Sequence, residues 1–405
     1  MSRWRSIIAL ALVSGLLIPA SAAAGEPGGI LRGRPGPPIP AALFGVNTAF
    51  PEQARQSVPL AWVRLWDAGV SWAQVEPARG TFDWTRLDGL MAQADAAGVR
   101  VMYVLGDTPR WAADRPNLPP RNIEDLRDFV RALVSRYGAR LDAIQAWNEA
   151  NLITYFSGAP QDVADFTKTI YDVVRAKGLP TKVIAASMTT RSDSAYSRYV
   201  RSDYLVALAR RGWPVDAFAV HSYPRANGTP ADRVAGIREF QALLTRSGAP
   251  NLPVMETEIN YGLAGLGQPH RVVDGAAAQG FIAQTYVDTV RLGLESAFWY
   301  AWTAKPHSVL GVQLDPAAND NIAAWKWAHD TLVGSQLIRC DVEQSVVSCG
   351  FERAGARFVV AYVSGDGAAP FIVPPGITQA CSMGRPCAPV DASTITVTSV
   401  PTLLT

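Results

Sequence analysis

The sequence predicts a (β/α)8 barrel followed by a small β-rich module. Three observations carry that expectation. Between about 43 and 335, eight short apolar runs alternate with helical patterns. No Gly-rich nucleotide loop follows any of these runs, which disfavours a doubly wound open sheet. After about 336, strand-like runs follow one another without helices, and all four cysteines fall there.

The candidate barrel strands are 43–47, 62–66, 100–105, 143–147, 182–186, 217–221, 254–258 and 296–302. Between them, Leu87, Leu90, Met91 and Ala94 fall at i, i+3, i+4 and i+7. Ile123, Leu126, Phe129, Val130, Leu133 and Val134 mark a second helix, with Asn122 as its N-cap and Gly138 as its stop. Thr229-Pro230 opens a third, with a cap and an N1 proline.

The ends of the chain differ in character. Arg3 and Arg5, the apolar stretch 7–19 and the small residues 20–24 have the pattern of a secretory signal. Residues 25–40 are rich in Gly and Pro and are expected to form an extended linker. The barrel is expected over 41–335. Short strands at 358–363, 371–373 and 394–400 suggest a β-sandwich-like module over 336–405. Its four cysteines allow three pairings, of which Cys340–Cys349 with Cys381–Cys387 is the simplest. A four-cysteine zinc site is the alternative, but no C-x-x-C pair is present. Disulfides fit a secreted or periplasmic protein.

Composition removes several function classes. The 405 residues carry 37 Lys+Arg against 35 Asp+Glu, a net charge of +2 with no basic block, so nucleic-acid binding by charge has no support. The only long apolar run is N-terminal, so no membrane span is expected after signal cleavage. Four widely spaced histidines make a His-rich metal site unfavourable. No cofactor is implied, and a monomer is expected.

Catalytic residues of such barrels sit at the C-terminal ends of the strands. Here those ends read Arg64-Leu-Trp66-Asp67, Gly106-Asp107 through Trp111, Trp147-Asn148-Glu149, His221-Ser-Tyr223, Glu256-Thr-Glu258-Ile-Asn260 and Trp299 through Trp302. Asn47, at the end of the first strand, could line the same mouth. Carboxylates, aromatic rings and hydrogen-bond donors collect there. Breaking a glycosidic bond needs one carboxylic acid to protonate the leaving oxygen and a second carboxylate at the anomeric carbon. Strands 4 and 7 face each other across a barrel mouth, so Glu149 and Glu258 can meet. Flat Trp faces suit the C–H faces of sugars, and the chain has 12 Trp.

These motifs resemble clan A of the retaining glycoside hydrolases, most of all family 39 and its relatives, with family 5 less close. The resemblance covers roughly 43–335. It rests on Trp147-Asn148-Glu149-Ala-Asn-Leu152, on Thr257-Glu258-Ile-Asn, and on 63–84 with Val63-Arg64-Leu65-Trp66, Trp72 and Glu76 through Trp84. It implies Glu149 as acid/base, Glu258 as nucleophile and Asn148 on the 2-hydroxyl. It further implies Arg64 beside the nucleophile, His221 and Tyr223 near both carboxylates, and Trp302 as the platform under the sugar. Ala150 stands where the family often has Pro. Asp107 and Trp111 are further candidates for sugar contacts. Arg64 and Tyr223 are expected to lower the pKa of Glu258. Glu256 and Glu258, two apart, share one side of an ideal strand, so Glu256 competes for the nucleophile's role or sits deeper against Arg64. A transglycosylase and a non-catalytic carbohydrate-binding protein are the alternatives to a hydrolase. Either way the expected partner is a carbohydrate, whose identity the subsite loops would decide.

Overall fold

A computed structural model of the chain describes residues 29–405 apart from 266, 268 and 366. The expected signal segment lies outside the described residues. A nine-element parallel sheet forms the barrel: β1 (Phe44–Asn47), β2 (Trp62–Leu65), β3 (Arg100–Val104), β4 (Ala143–Gln145), β5 (Lys182–Ile184), β6 (Met188–Thr189), β7 (Phe218–His221), β8 (Val254–Ile259) and β9 (Ser296–Tyr300). The order is β5-β4-β3-β2-β1-β9-β8-β7-β6. β5 and β6 are two halves of one stave. The Ala185 N–H donates to the Ala217 carbonyl and the Ser187 N–H to the Trp147 carbonyl, both at 3.0 Å, and these bonds close the ring across the gap. Eight staves therefore match the eight expected strands.

The helices lie between successive staves. Helix Ile123–Tyr137 starts where Asn122 accepts the Glu124 N–H at 3.1 Å, and it buries Leu126, Phe129, Val130, Leu133 and Val134 as its periodicity requires. Helix Pro230–Arg246 opens on a reciprocal cap, with the Thr229 N–H donating to Asp232 at 2.8 Å.

Side chains alternate in and out along each stave, and this period fills the lumen in layers. The floor is apolar: Trp62, Met102, Ala143, Ile184, Ala219, Met255 and Phe298. Gly45 belongs to it too, since a Cβ there would lie 2.6 Å from the Phe298 ring. Two residues further along the same staves come Asn47, Arg64, Gln145, His221, Thr257 and Tyr300. Polarity thus switches on within one step of the strand period, at the mouth.

The antiparallel module contains β10 (Gln336–Glu343), β11 (Val346–Arg353), β12 (Ala356–Val363), β13 (Ala368–Ile372), β14 (Gln379–Ser382), β15 (Ala388–Pro389), β16 (Thr394–Thr398) and β17 (Thr402–Leu404). Its main sheet runs β10-β11-β12-β17-β14-β15, and β13 pairs with β16. Disulfides join Cys340 to Cys349 and Cys381 to Cys387. The module docks on helix Gly275–Arg291: the Tyr362 hydroxyl donates to Asp288 at 2.5 Å and Gln284 donates to the Val363 carbonyl at 3.3 Å. The expected linker is not free. Ile30 is buried in the core of the module, and the Gly36 and Ile39 N–H groups donate to the Leu337 and Ser335 carbonyls at 2.9 and 2.8 Å. Apolar Ile30 and the unpaired edge of β10 explain the docking, which Gly/Pro content alone did not indicate.

Candidate active site

Arg64 organises the mouth. Its guanidinium is fully buried and donates to four groups: Gln145 Oε1 at 2.7 Å, Asn47 Oδ1 at 2.8 Å, Asn148 Oδ1 at 2.7 Å and Glu258 Oε1 at 2.5 Å. The other Glu258 oxygen accepts from the Tyr223 hydroxyl at 2.8 Å and lies 3.3 Å from His221 Nδ1. The same Nδ1 is 3.1 Å from Glu149 Oε1. Oxygens of Glu149 and Glu258 and a His221 ring nitrogen lie within 4.8 Å of one another. That spacing alone would admit a cation. The Arg64 guanidinium already occupies that role against Glu258, so the donor set does not suit one.

Local backbone explains how the two glutamates arrive. Glu149 lies past the end of β4 with φ +39°, a left-handed conformation that costs a β-substituted residue about 1–2 kcal/mol. Ser187, in the gap between β5 and β6, holds it there. Its hydroxyl accepts the Glu149 N–H at 2.8 Å and its carbonyl accepts the Ala150 N–H at 3.1 Å. On β8 the pairing register slips between Glu256 and Ile259. Met255 and Thr257 keep the inward parity, and the slip turns Glu258 inward as well.

Glu256 goes the other way. It is fully buried against Arg233 of the outer helix Pro230–Arg246, with Nε at 3.0 Å from both of its oxygens, and it also accepts from Ser222. The expectation that it shares the side of Glu258 or pairs with Arg64 is therefore corrected. An ideal strand would have put both glutamates together, and the bulge separates them.

Burial dominates the electrostatics. It pushes Glu149 up to about 7, against the pull of Arg64 and Arg191. It also raises Glu258, although His221, Arg64 and Tyr223 oppose it. The expectation of a lowered Glu258 is thus corrected, because desolvation outweighs the guanidinium. Of the pair, Glu258 accepts two direct donors and Glu149 accepts no cation directly, so a single shared negative charge rests on Glu258. Burial pushes His221 down to about 3, which leaves its ring neutral.

The remaining expected residues divide. Asn148 is buried beside Glu149 on Arg64. Asp107 lines a cavity of about 290 Å³ with Trp66, Asp67 and Ser71. Trp302 is 1 % exposed, meets Phe50 edge-on, and lines a cavity of about 160 Å³ together with Tyr300, Trp66 and Asp67. The strand parity ends at Tyr300, which is partly exposed, donates to Asp67 at 2.7 Å and meets the Tyr223 ring edge-on. Trp111 is held by other partners: its Nε1 donates to the Glu76 carbonyl at 2.9 Å, Arg79 covers its ring and Trp72 meets its edge. Sequence reasoning missed Gln145, Thr257, Ser187 and Tyr300. Counting by twos from the apolar floor would have found Gln145, Thr257 and Tyr300. Ser187 carried no such signal.

Comparison with known proteins follows the same line. The glycoside hydrolase family 42 model, described as beta-galactosidase, matches residues 53–157. A family 39 glycoside hydrolase from Bacteroides cellulosilyticus superposes with a TM-score of 0.69 at 16% identity, covering 90% of this chain and 81% of that one. A monomeric beta-xylosidase from Caulobacter crescentus gives 0.63 at 15%, covering 92% and 97%. A glucosidase from Croceicoccus marinus gives 0.64 at 13%, covering 92% and 97%. No curated protein matches in sequence. The chain has the barrel-plus-β-module fold of these glycosidases, and the resemblance to clan A holds at the level of fold.

Proposed function

We propose that this chain is an exported retaining glycoside hydrolase. The observation that carries the proposal is the pair Glu149 and Glu258, with oxygens within 4.8 Å and Arg64 on only one of them. Retaining enzymes hold their carboxyl groups about 5–5.5 Å apart, whereas inverting enzymes leave room for a water between them. In the first step a Glu258 oxygen attacks the anomeric carbon while Glu149 gives its proton to the departing oxygen. In the second, Glu149 takes a proton from water, the water oxygen bonds to the anomeric carbon, and Glu258 is released. Asn148, held by Arg64, has its amide free to donate to the sugar's 2-hydroxyl. Two disulfides and the N-terminal signal pattern support export.

Two cavities beside the carboxylate pair, neither of them lined by Glu149 or Glu258, bear on the substrate. The cavity over Asp107 shares Trp66 and Asp67 with a second of about 160 Å³, which Tyr300, Trp302, Phe50 and Asn47 also line. Among the described residues, no Lys or Arg lines either cavity, while Asp67 and Asp107 do. Aromatic faces with carboxylates suit sugars rich in hydroxyl groups and repel uronates and sulfated sugars. The test is to screen neutral and anionic glycans and follow the first-formed anomer by NMR. Retention on a neutral glycan is expected. Inversion, or hydrolysis confined to uronides, contradicts the proposal.

A further inference from the structure

Behind the two carboxylates lies a chain of hydrogen bonds whose direction is set at one end. Arg64 can only donate, so Gln145 Oε1, 2.7 Å from Arg64 Nε, must be the acceptor oxygen of its amide. The Gln145 nitrogen then faces Thr257 Oγ1 at 3.4 Å and donates to it. The Thr257 hydroxyl in turn lies 3.0 Å from His221 Nε2. With one lone pair taken by Gln145, the hydroxyl is set to direct its proton at Nε2, which then accepts. His221 is neutral, so its single proton sits on the other nitrogen, Nδ1. That N–H lies 3.1 Å from Glu149 and 3.3 Å from Glu258. Thr257 and His221 are buried, so water does not compete for these bonds.

We propose that Gln145 and Thr257 are positioning residues that lock His221 as the Nδ1–H tautomer, and that this one N–H serves the two carboxylates in turn. The inference rests on the proposed two-step hydrolysis. In the free enzyme the negative charge is on Glu258 and the N–H strengthens Arg64 and Tyr223 there. Once Glu258 is esterified its charge is gone, Glu149 has given up its proton, and the same N–H turns to the Glu149 carboxylate. That favours the ionised Glu149 in the step where it must act as base. With the opposite tautomer, the bare Nδ1 lone pair would accept a hydrogen bond from protonated Glu149 and hold it in the acid form, helping the first step and hindering the second.

The test has two parts. First, 15N NMR of the His221 ring in full-length protein carrying His270→Gln, His307→Gln and His329→Gln reads the tautomer with no reference to activity. A protonated Nδ1 is expected, and a protonated Nε2 overturns the relay even if the enzyme hydrolyses glycosides. Second, Thr257→Val removes the hydroxyl with little change of shape, and Thr257→Ser restores it. In Thr257→Val the alkaline limb of kcat/KM is expected to move up by about one pH unit, and release of the glycosyl-enzyme to slow by about tenfold, giving a burst. Thr257→Ser is expected to return both to wild type. An unshifted limb with no burst in folded Thr257→Val overturns the proposal, since a merely structural role would lower activity without moving either. Nδ1 protonation in a wild-type chain that cleaves no glycoside would remove the hydrolase reading and, with it, the two-step role of the N–H.

Discussion

Glu149→Gln should lower activity and raise stability, and the two effects should follow the same titration. Glu149 is buried, and burial lifts it from an ordinary 4.5 to about 7. A folded-state value above the unfolded one means that the native state holds the proton more tightly between those values. Stability therefore falls as pH rises from about 4.5 to about 7, and the loss is complete above that range. At about 1.4 kcal/mol per pH unit the gap amounts to about 3 kcal/mol. Glutamine has nearly the same shape and no charge to desolvate, so Glu149→Gln should be more stable than wild type by up to about 3 kcal/mol at pH 8. The gain should shrink toward zero near pH 4. Urea unfolding followed at several pH values reads it, with the barrel transition taken separately from any transition of the β module. Activity should move the other way. Wild-type kcat/KM should decline as pH rises through about 7, where the proton on Glu149 is lost. In Glu149→Gln that limb should vanish, and substrates with poor leaving groups should lose about 10²–10⁴-fold. An activated dinitrophenyl glycoside needs no proton in the first step, so its loss should be confined to the second and appear as a burst. Equal loss for all leaving groups, or a variant no more stable at pH 8 than wild type, would refute the assignment of Glu149 as the buried acid.

Other expectations come from the same geometry. Glu256→Gln should keep kcat within a few-fold but lose about 3–5 kcal/mol in urea unfolding, because it strands the buried Arg233, whose Nη1 already lacks a partner. Gly45→Ala should cost about 1–3 kcal/mol by the same measurement, since its methyl meets the Phe298 ring at 2.6 Å in the floor. Asp67→Asn, which keeps a hydrogen-bond acceptor for Tyr300, should narrow the preference for a neutral glycoside over the matching uronide, read as the ratio of kcat/KM values.

The barrel was readable because each stave announces itself by a short apolar run and each helix by its 3.6-residue face, as Asn122 and the 123–137 stripe illustrate. The two glutamates were readable because they lie at strand ends in distinctive company. What stayed hidden depends on departures from ideal periodicity. The bulge on β8 reverses the side on which Glu258 emerges, and no residue type at 256–259 marks it. The resemblance implies Trp302 as the platform, yet the stave ends two residues earlier, at Tyr300, and the Trp302 N–H turns back to the Asn47 carbonyl at 3.1 Å. The balance of burial against charge at Glu258 depends on three-dimensional enclosure, which spacing cannot supply. The docking of 29–39 on the C-terminal sheet joins segments about 300 positions apart, as in the bond from Gln336 to the Gly36 carbonyl, and has no local signature.

The chemistry assigned to this mouth is most directly tested by trapping. A 2-deoxy-2-fluoro glycoside of an accepted sugar forms the first covalent bond and stalls there, and peptide mass mapping locates it. The label should sit on Glu258, in a ratio of one sugar per chain. A label on Glu256, on Glu149 or on any residue outside the mouth would contradict the account.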